Sequence, residues 1–339
     1  MLPGDFLAMR LTGNIKTTIT GLSEAVLWDF ASGKPAGSVM DYYGIPGDMI
    51  PGIVPVFSNQ GNIPKDVAVD LGLSEKTIIA YRAGDQPNNA FSLNVLNPGQ
   101  AAATAGTSGV IYGVSDSVKP DDRTRVNTFA HVNYSIEKPV LGTLLCVNGT
   151  GILYSWLRSN FGRDMSYDEM NELAGKIDPG SNGLQIYPFG NGAERILDNM
   201  NTGARISNLD FNIHNRSHMF RAAQEGIVYA MNYGLQVMKD MGIEANTINA
   251  GNANLFLSPL FRSLLADVTG SEIRLYDTDG AKGAALGAGF GAGVYSDISG
   301  LPAGLKVLDK SVPDPASVKI YREKYAKWLE GLNIITGAL

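Results

Sequence analysis

An aspartate that follows a predicted strand is the first candidate for chemistry in this sequence. The run 77–81 is typical of a buried strand, and it leads into a predicted loop, residues 82–87, that contains Asp85. A carboxylate at the carboxyl end of a strand faces the crevice of an open α/β sheet, and it suits a general base that takes a proton from an alcohol. The alternative is an aspartate that hydrogen-bonds only its own turn, and spacing alone favours that alternative.

A turn of small residues between two predicted strands could hold a phosphate. The segment 101–112 is predicted to form two strands around the turn Gly106–Gly109, which reads Gly-Thr-Ser-Gly. Glycines let the backbone approach a phosphate, while hydroxyl and backbone N–H groups donate to its oxygens. The turn is not a Walker A loop, because no Gly-Lys-Ser/Thr sequence opens a helix there. An ordinary hairpin turn is the alternative.

Two further groups of residues could border a ligand, and the first of them lies in a strand-to-helix loop, where open sheets usually bind ligands. They are Gly251, Asn252 and Asn254 after the predicted strand 247–250, and Gly151, Ile152 and Ser155 at the start of the predicted helix 150–161. The helix start could face an anion through its N-terminal N–H groups. Equally, the loop could use asparagine and glycine for left-handed backbone geometry, and the helix residues could serve packing.

The elements that must position these residues are clearest between residues 245 and 294. The pattern predicts strand 247–250, helix 258–268, strand 272–276 and an Ala/Gly-rich helix. Such a βαβα unit implies parallel strands with helices packed on the sheet. Upstream, Ser217 is predicted to cap a long amphipathic helix that Gly242 ends.

Two other patterns have weaker support. The run 287–292 satisfies the dinucleotide-binding fingerprint by letter, and Asp309 lies at about the expected distance, but the run does not follow a strand directly. We expect its small residues to let a helix pack closely on the sheet. The three histidines lack metal-ligand spacing, and no Ser-His-Asp or Cys-His arrangement stands out.

Composition limits the class of protein. The length of 339 residues predicts two packed lobes, and the net charge of −6 argues against a duplex nucleic-acid binder. The single cysteine, Cys146, excludes an intrachain disulfide and favours a reducing compartment. No signal peptide and no apolar run of membrane-spanning length is evident, so we expect a soluble, cytoplasmic protein that binds no membrane.

Taken together, these segments resemble the FGGY family of carbohydrate kinases and, within it, the xylulokinases. The stretches that carry the resemblance occur in the family's order: Leu2–Leu7 with Arg10–Gly13, Ala83–Asp85, Gly106–Gly109, His218–Gly226, and Ser258–Phe261 with Gly283–Ala288. The resemblance implies the actin-like, ribonuclease-H-like α/β fold, in which two lobes enclose the ligands. It divides the chain into the remainder of an N-terminal sugar-binding lobe, residues 1–85, and a complete C-terminal nucleotide-binding lobe, residues 86–339.

The resemblance also implies a role for each candidate residue. Asp85 would be the catalytic base, with Gln86 and Asn89 beside the sugar. The residues implied to border the nucleotide and its phosphates are Gly106, Thr107, Ser108, Gly151, Ser155, Gly251, Asn252 and Asn254. The implied reaction is ATP-dependent phosphorylation of a hydroxyl group of a ketose such as D-xylulose, with Mg²⁺ as a second cofactor and no metal ligand assigned.

Departures from the family pattern bear on this interpretation. The family's Asp-Asn pair reads Asp85-Gln86, and a family aspartate after the Leu-Thr-Gly stretch is Thr18. The family's opening strand and Asp-x-Gly-Thr turn have no counterpart, so we expect a fragment, a split half or an alternative start with weak activity alone. Self-association or a complementing N-terminal segment would cover the surface left open. The rival interpretations are a non-catalytic actin-like nucleotide-binding module and a dinucleotide-linked oxidoreductase.

Overall fold

The structure is a computed structural model that describes residues 1–298 and 304–337. Its strands are β1 (Lys16–Thr17), β2 (Trp28–Asp29), β3 (Lys34–Pro35), β4 (Gly52–Ile53), β5 (Phe57–Asn62), β6 (Ile78–Tyr81), β7 (Gln100–Ala105), β8 (Gly109–Ser115), β9 (Asn127–Ala130), β10 (Leu141–Val147), β11 (Gln185–Tyr187), β12 (Arg205–Ser207), β13 (Thr247–Gly251), β14 (Glu272–Tyr276) and β15 (Val307–Ser311). Its α-helices are α1 (Pro3–Thr12), α2 (Ile19–Glu24), α3 (Gly37–Tyr43), α4 (Lys65–Leu71), α5 (Asp85–Ser92), α6 (Gly151–Phe161), α7 (Tyr167–Gly175), α8 (Arg216–Asp240), α9 (Pro259–Thr269), α10 (Gly280–Gly291) and α11 (Pro315–Thr336). Within the described ranges, none of these helices is long and apolar enough to span a bilayer.

A seven-stranded mixed sheet forms the centre of the fold, in the order β15-β14-β13-β7-β8-β10-β9. As predicted for residues 245–294, β13 and β14 are parallel, and β13 also pairs in parallel with β7. Ala103 lies opposite Ala250, so the carboxyl ends of β7 and β13 meet at one edge of the sheet. The predicted hairpin is confirmed at this edge, where Ala105 of β7 pairs with Gly109 of β8.

Helix α8 packs against β10 and α9 and is buried along most of its length. The prediction that Ser217 caps it is wrong, because the cap is Asn215. The side chain of Asn215 accepts the N–H of Ser217 at 2.9 Å, and Nδ1 of His218 accepts the N–H of Asn215 at 3.3 Å. Asparagine caps helices as well as serine does, and the reciprocal bond from the Asn215 N–H to the His218 ring is consistent with a helix that starts at Arg216.

A buried ion pair ties the start of the chain to the end of β6. Arg82 Nη1 donates to Asp5 Oδ1 at 3.1 Å, and Arg82 Nε donates to Gln60 Oε1 at 2.8 Å. Thr17 Oγ1 donates to the other carboxylate oxygen of Asp5 at 2.9 Å. Both charged side chains are 9% exposed. The network therefore fixes the backbone three residues before Asp85. The predicted boundary between two lobes at residue 85 stays a prediction.

Helix α10 packs on β5 and β6 through glycines. A methyl group on Gly291 would lie 1.8 Å from the carbonyl oxygen of Ala80, and one on Gly287 would lie 2.8 Å from the Tyr81 ring. The expectation that the run 287–292 serves close packing is thereby confirmed. Asp309, the acidic residue at the spacing of a dinucleotide-binding pattern, accepts a hydrogen bond from Arg262 Nη2 at 2.6 Å, so its carboxylate has a partner within the protein.

Candidate active site

A cavity of about 600 Å³ opens beside the hairpin, at the carboxyl edge of the sheet. It brings together six of the candidate residues named in the sequence analysis, which are Gly106, Thr107, Gly151, Ile152, Ser155 and Asn254. These residues come from three separate segments: the turn after β7, the first turns of α6, and the loop after β13. A cavity of this size, lined by both apolar and polar groups, fits a nucleotide-sized ligand.

The hairpin and the start of α6 are locked together by backbone hydrogen bonds. Gly151 N donates to Gly106 O at 2.9 Å, and Ile152 N donates to Thr107 O at 3.2 Å. A methyl group on Gly151 would lie 2.2 Å from Gly106 O, so the approach requires glycine. Of the two alternatives left open for the start of this helix, these bonds favour packing, because the hairpin carbonyls already occupy the N–H groups of Gly151 and Ile152. Gly151 and Ser155 border the cavity. The N–H groups of Gly151 and Ile152, however, are not free to donate to a ligand there.

The segment after β13 forms another part of the cavity wall. Asn254 adopts a left-handed conformation, with φ of 56°, and starts the 3₁₀ helix Asn254–Leu257. Its side-chain amide packs over Gly106, where a methyl group would lie 3.5 Å from Asn254 Nδ2. Ser108, Gly251 and Asn252 were predicted for the same site, but they lie next to the cavity and not on its wall. Asn252 N donates to Tyr276 O at 3.0 Å at the end of β14.

Helix α7 supplies part of the wall that the sequence did not predict. Tyr154 OH donates to Asn171 Oδ1 at 2.9 Å, and the buried Gln224 donates to both of them at 2.9 Å. This network ties α6, α7 and α8 together behind the cavity. Asp168 lies on the wall nearby. No pattern of residue spacing in the sequence indicates that these three helices are in contact, so the network is evident only from the structure.

Asp85 is the first residue of α5 and is exposed. The predicted loop through residue 87 is wrong, because Pro87 fits the first turn of a helix, where its fixed φ is favourable and its missing N–H costs nothing. Gln86 Nε2 donates to Asp85 Oδ2 at 3.3 Å. Asp85 and Gln86 do not line the cavity.

Contacts of α5 place its start at the same sheet edge as the cavity. Asn88 Nδ2 donates to Gly280 O at 2.9 Å, and a methyl group on Gly280 would lie 2.6 Å from Asn89 Oδ1. Asn89, predicted to contact the sugar, therefore packs against the start of α10, as does Asn88. Gly280 follows β14, and Gly251 lies against Thr278 of the same connection. The start of α5 and the Gly106–Gly109 turn are thus both near the carboxyl edge of the sheet.

The sequence analysis did not single out two carboxyl groups that lie near these elements. Glu194 is fully buried, and its two carboxylate oxygens accept the N–H of Asn148 at 3.1 and 3.0 Å beneath the start of α6. Burial raises the pKa of Glu194 to about 7. Glu24, at the end of α2, lies against Gly84, and burial followed by the charge of Asp85 raises the pKa of Glu24 to about 7. Neither contact has a local sequence signal, because the partners are far apart along the chain.

Residues 1–298 and 304–337 contain no group of three or more His, Cys, Asp or Glu side chains that could hold a metal ion. We assign no chemical step to the metal.

The chain belongs to the FGGY family of carbohydrate kinases. Residues 1–92 match the N-terminal domain of this family, and residues 101–294 match its C-terminal domain. The resemblance noted in the sequence is confirmed.

Individual relatives carry sugar-kinase names. The chain is 25% identical to the xylulose kinase of Bacillus subtilis over 302 residues, which covers 88% of this chain and 59% of that protein. It is 27% identical to the xylulose kinase of Haemophilus influenzae, with 98% of this chain and 67% of that protein covered. The chain therefore spans 59–67% of the length of these relatives.

The structure of a ligand-bound xylulose kinase from Lactobacillus acidophilus has a TM-score of 0.90 at 21% identity, covering 98% of this chain and 67% of that chain. A glycerol kinase from Plasmodium falciparum, solved with ADP, has a TM-score of 0.80 at 21% identity, covering 96% of this chain and 65% of that chain. These similarities confirm the predicted actin-like α/β fold.

Proposed function

We propose that this protein transfers the γ-phosphoryl group of ATP to a hydroxyl group of a sugar, a ketose such as D-xylulose being the first candidate. The observation that carries the proposal is the convergence of the phosphate turn, the start of α6 and the loop after β13 on one cavity, in a chain that belongs to a carbohydrate kinase family. The names of the xylulose kinase relatives support the choice of sugar.

In the proposed mechanism, the adenosine of ATP occupies the 600 Å³ cavity and its phosphates reach the hairpin. Thr107 and Ser108 offer hydroxyl and backbone donors to phosphate oxygens, and Gly106 lets the phosphates approach the backbone. Asp85 accepts the proton of the sugar hydroxyl while the oxygen attacks the γ-phosphorus, and ADP leaves. Because phosphoryl transfer depends mostly on positioning and electrostatics, the rigid contact between hairpin and α6 contributes by fixing the donors.

Three further points stay predictions. They are the requirement for magnesium together with ATP, the contacts of Gln86 and Asn89 with the sugar, and self-association or a complementing N-terminal segment. A cytoplasmic location also stays a prediction. A cytosolic kinase has ATP at hand, and the free thiol of Cys146 is consistent with a reducing compartment.

The test is sugar-dependent release of ADP, measured with D-xylulose, L-xylulose, gluconate and glycerol, and repeated with the predicted N-terminal segment supplied, because weak activity is expected of this chain alone. Asp85→Asn should lower kcat about 10²–10⁴-fold, because general base catalysis contributes that much. It should leave ATP binding intact, since Asp85 is not on the cavity wall. Asp66→Asn is the matched control, because Asp66 is also an exposed aspartate in the first turn of a helix, α4. Equal rates for the two variants would refute the assignment of Asp85.

A further inference from the structure

A buried carboxyl group accepts the first backbone N–H of the turn that leads into α6. This turn, residues 148–150, connects β10 to α6 and is called the entry turn below. Oε1 and Oε2 of the fully buried Glu194 accept the N–H of Asn148 at 3.1 and 3.0 Å. In the described part of the chain, no ion pair joins Glu194 to a basic side chain. Burying a carboxyl group without a basic partner costs stability, and the hydrogen bonds to the entry turn offset that cost.

The backbone around Glu194 holds its carboxyl group in place. Glu194 N donates to Met200 O at 3.0 Å. Glu194 O accepts the N–H groups of Leu197 and Asn199, each at 3.0 Å. Ile196 and Leu197 are buried in the largest hydrophobic cluster. The carboxyl group therefore projects from a fixed segment, and it can fix the backbone that it binds.

The segment 188–194 holds the entry turn at two further points. Asn148 Nδ2 donates to Ala193 O at 2.8 Å. A methyl group on Gly149 would lie 1.4 Å from Pro188 O, so the approach requires glycine. The entry turn is thus packed closely against the segment that carries the buried carboxyl group.

The entry turn is also in contact with both ends of the Gly106–Gly109 turn. Gly151, the next residue after the entry turn, donates its N–H to Gly106 O at 2.9 Å. Thr150 is fully buried, and its Oγ1 would lie 2.6 Å from a methyl group on Gly109. A continuous series of contacts therefore runs from the buried carboxyl group to the turn that is proposed to receive the phosphates of ATP.

We propose that Glu194 is a positioning residue for ATP, because its carboxyl group fixes the entry turn and the entry turn fixes the Gly106–Gly109 turn. This inference rests on the proposed function. Glu194 is not on the cavity wall, so it acts through the backbone and takes part in no chemical step. Both oxygens of a carboxylate accept hydrogen bonds, whereas a glutamine of nearly the same volume has only one acceptor and adds an NH₂ donor. Glu194→Gln therefore weakens the hold on the entry turn while it preserves the packing.

The first experiment follows the hydrogen bonds themselves by amide hydrogen exchange, measured by NMR at pH 8. Burial raises the pKa of Glu194 to about 7, so the ionised form predominates at this pH. The amides of Asn148, Gly151 and Ile152 should exchange about tenfold faster in Glu194→Gln than in the wild-type protein, and the amides of α8 should not. Wild-type rates at Gly151 and Ile152 would overturn the proposal, whatever the rate at Asn148. A uniform increase that includes α8 would indicate a general loss of stability and would overturn it as well.

The matched control for this experiment is Glu24→Gln. Glu24 is a second carboxyl group whose pKa burial raises to about 7, but it lies against Gly84 and is not on the cavity wall. The exchange rates of the entry turn and of the start of α6 should be the same in Glu24→Gln as in the wild-type protein. Equal changes in the two variants would contradict a specific role for Glu194.

The second experiment separates the positioning of phosphates from a structural role by comparing two ligands. Calorimetric titration at pH 8 should show ATP binding about tenfold weaker in Glu194→Gln than in the wild-type protein. Adenosine should bind both proteins equally, because it carries no phosphate for the Gly106–Gly109 turn to hold. An unchanged affinity for ATP, or an equal loss for ATP and adenosine, would overturn the proposal.

A double-variant cycle tests whether two contacts act on the same element. Gly151→Ala disturbs the contact between α6 and Gly106, and Glu194→Gln disturbs the entry turn that precedes it. If both act through the Gly106–Gly109 turn, the double variant should bind ATP no more than about twofold more weakly than the weaker single variant. A loss equal to the product of the two single losses would show independent effects and contradict the series of contacts.

The failure of this proposal can be distinguished from the failure of the proposed function. If the wild-type protein does not bind ATP, the proposed function is contradicted and the role of Glu194 falls with it. If exchange at Gly151 and Ile152 is unaffected in Glu194→Gln, the positioning role alone is contradicted, whether or not the protein phosphorylates a sugar.

Discussion

A single methyl group at position 151 should separate the β7–β8 hairpin from helix α6. In Gly151→Ala, the added carbon would lie 2.2 Å from Gly106 O, whereas real contacts of this kind are not shorter than 3.0 Å. The two segments must therefore move apart by at least the difference, 3.0 − 2.2 = 0.8 Å. Along the hydrogen bond from Gly151 N to Gly106 O, now 2.9 Å, such a movement gives about 3.7 Å, which is no longer a hydrogen bond.

The energetic consequence follows from these distances. Forcing an extra carbon into a packed contact costs about 1–3 kcal/mol in free energy of unfolding. A displacement of about 1 Å at a binding element can also cost about 100-fold in rate, because positioning is lost. We therefore expect Gly151→Ala to weaken ATP binding at least tenfold and to lower the melting temperature.

The matched control is Gly175→Ala at the end of α7, where an added carbon meets nothing within 4 Å. This control should keep the wild-type affinity and melt at or slightly above the wild-type temperature, because alanine stabilises a helix by about 0.5–1 kcal/mol relative to glycine. Calorimetric titration with ATP and thermal unfolding measure both effects. If Gly151→Ala binds ATP and melts like Gly175→Ala, the hairpin and α6 are not coupled as described.

Two further predictions concern buried charge. Arg82→Met should lower the free energy of unfolding by about 3–5 kcal/mol in urea titrations, because it leaves Asp5 buried without its ionic partner. The control Lys65→Met breaks an exposed pair with Glu75 and should cost less than about 1 kcal/mol. Equal losses in the two variants would contradict the argument. Glu194 has a folded-state pKa raised to about 7, so its contribution to stability is fully present below its unfolded pKa and is lost as pH rises through about 7. Thermal unfolding between pH 5 and 8 should therefore show a smaller decline in melting temperature for Glu194→Gln than for the wild-type protein, and identical declines would contradict this reasoning.

The parts of the fold that could be predicted from the sequence are those with local patterns. The βαβα unit of residues 245–294 has two apolar strands and a Ser258-Pro259 helix start, and it was confirmed with parallel pairing. The Gly106–Gly109 turn was confirmed because a run of small turn residues between two short apolar runs is the local pattern of a hairpin. The family resemblance depended on the order of such motifs along the chain.

The parts that could not be predicted depend on contacts between distant segments. The N–H groups of Gly151 and Ile152 have the spacing of an anion site, but two hairpin carbonyls occupy them, and only the tertiary fold brings those carbonyls there. Likewise, nothing near Gly84 in the sequence indicates that Glu24 packs on it. The choice of Asn215 over Ser217 as a helix cap depended on the ring of His218, a detail that residue preferences do not resolve.

The glycines of α10 have a consequence for the order in which the protein folds. Glycine is about 0.8–1.0 kcal/mol worse than alanine inside a helix, and Gly283, Gly287 and Gly289 lie in the interior of this twelve-residue helix. A segment of this composition and length should be largely unstructured as a free peptide. We therefore expect α10 to become helical only after β5 and β6 offer a surface to dock on, so that the strand leading to Asp85 acts as its template.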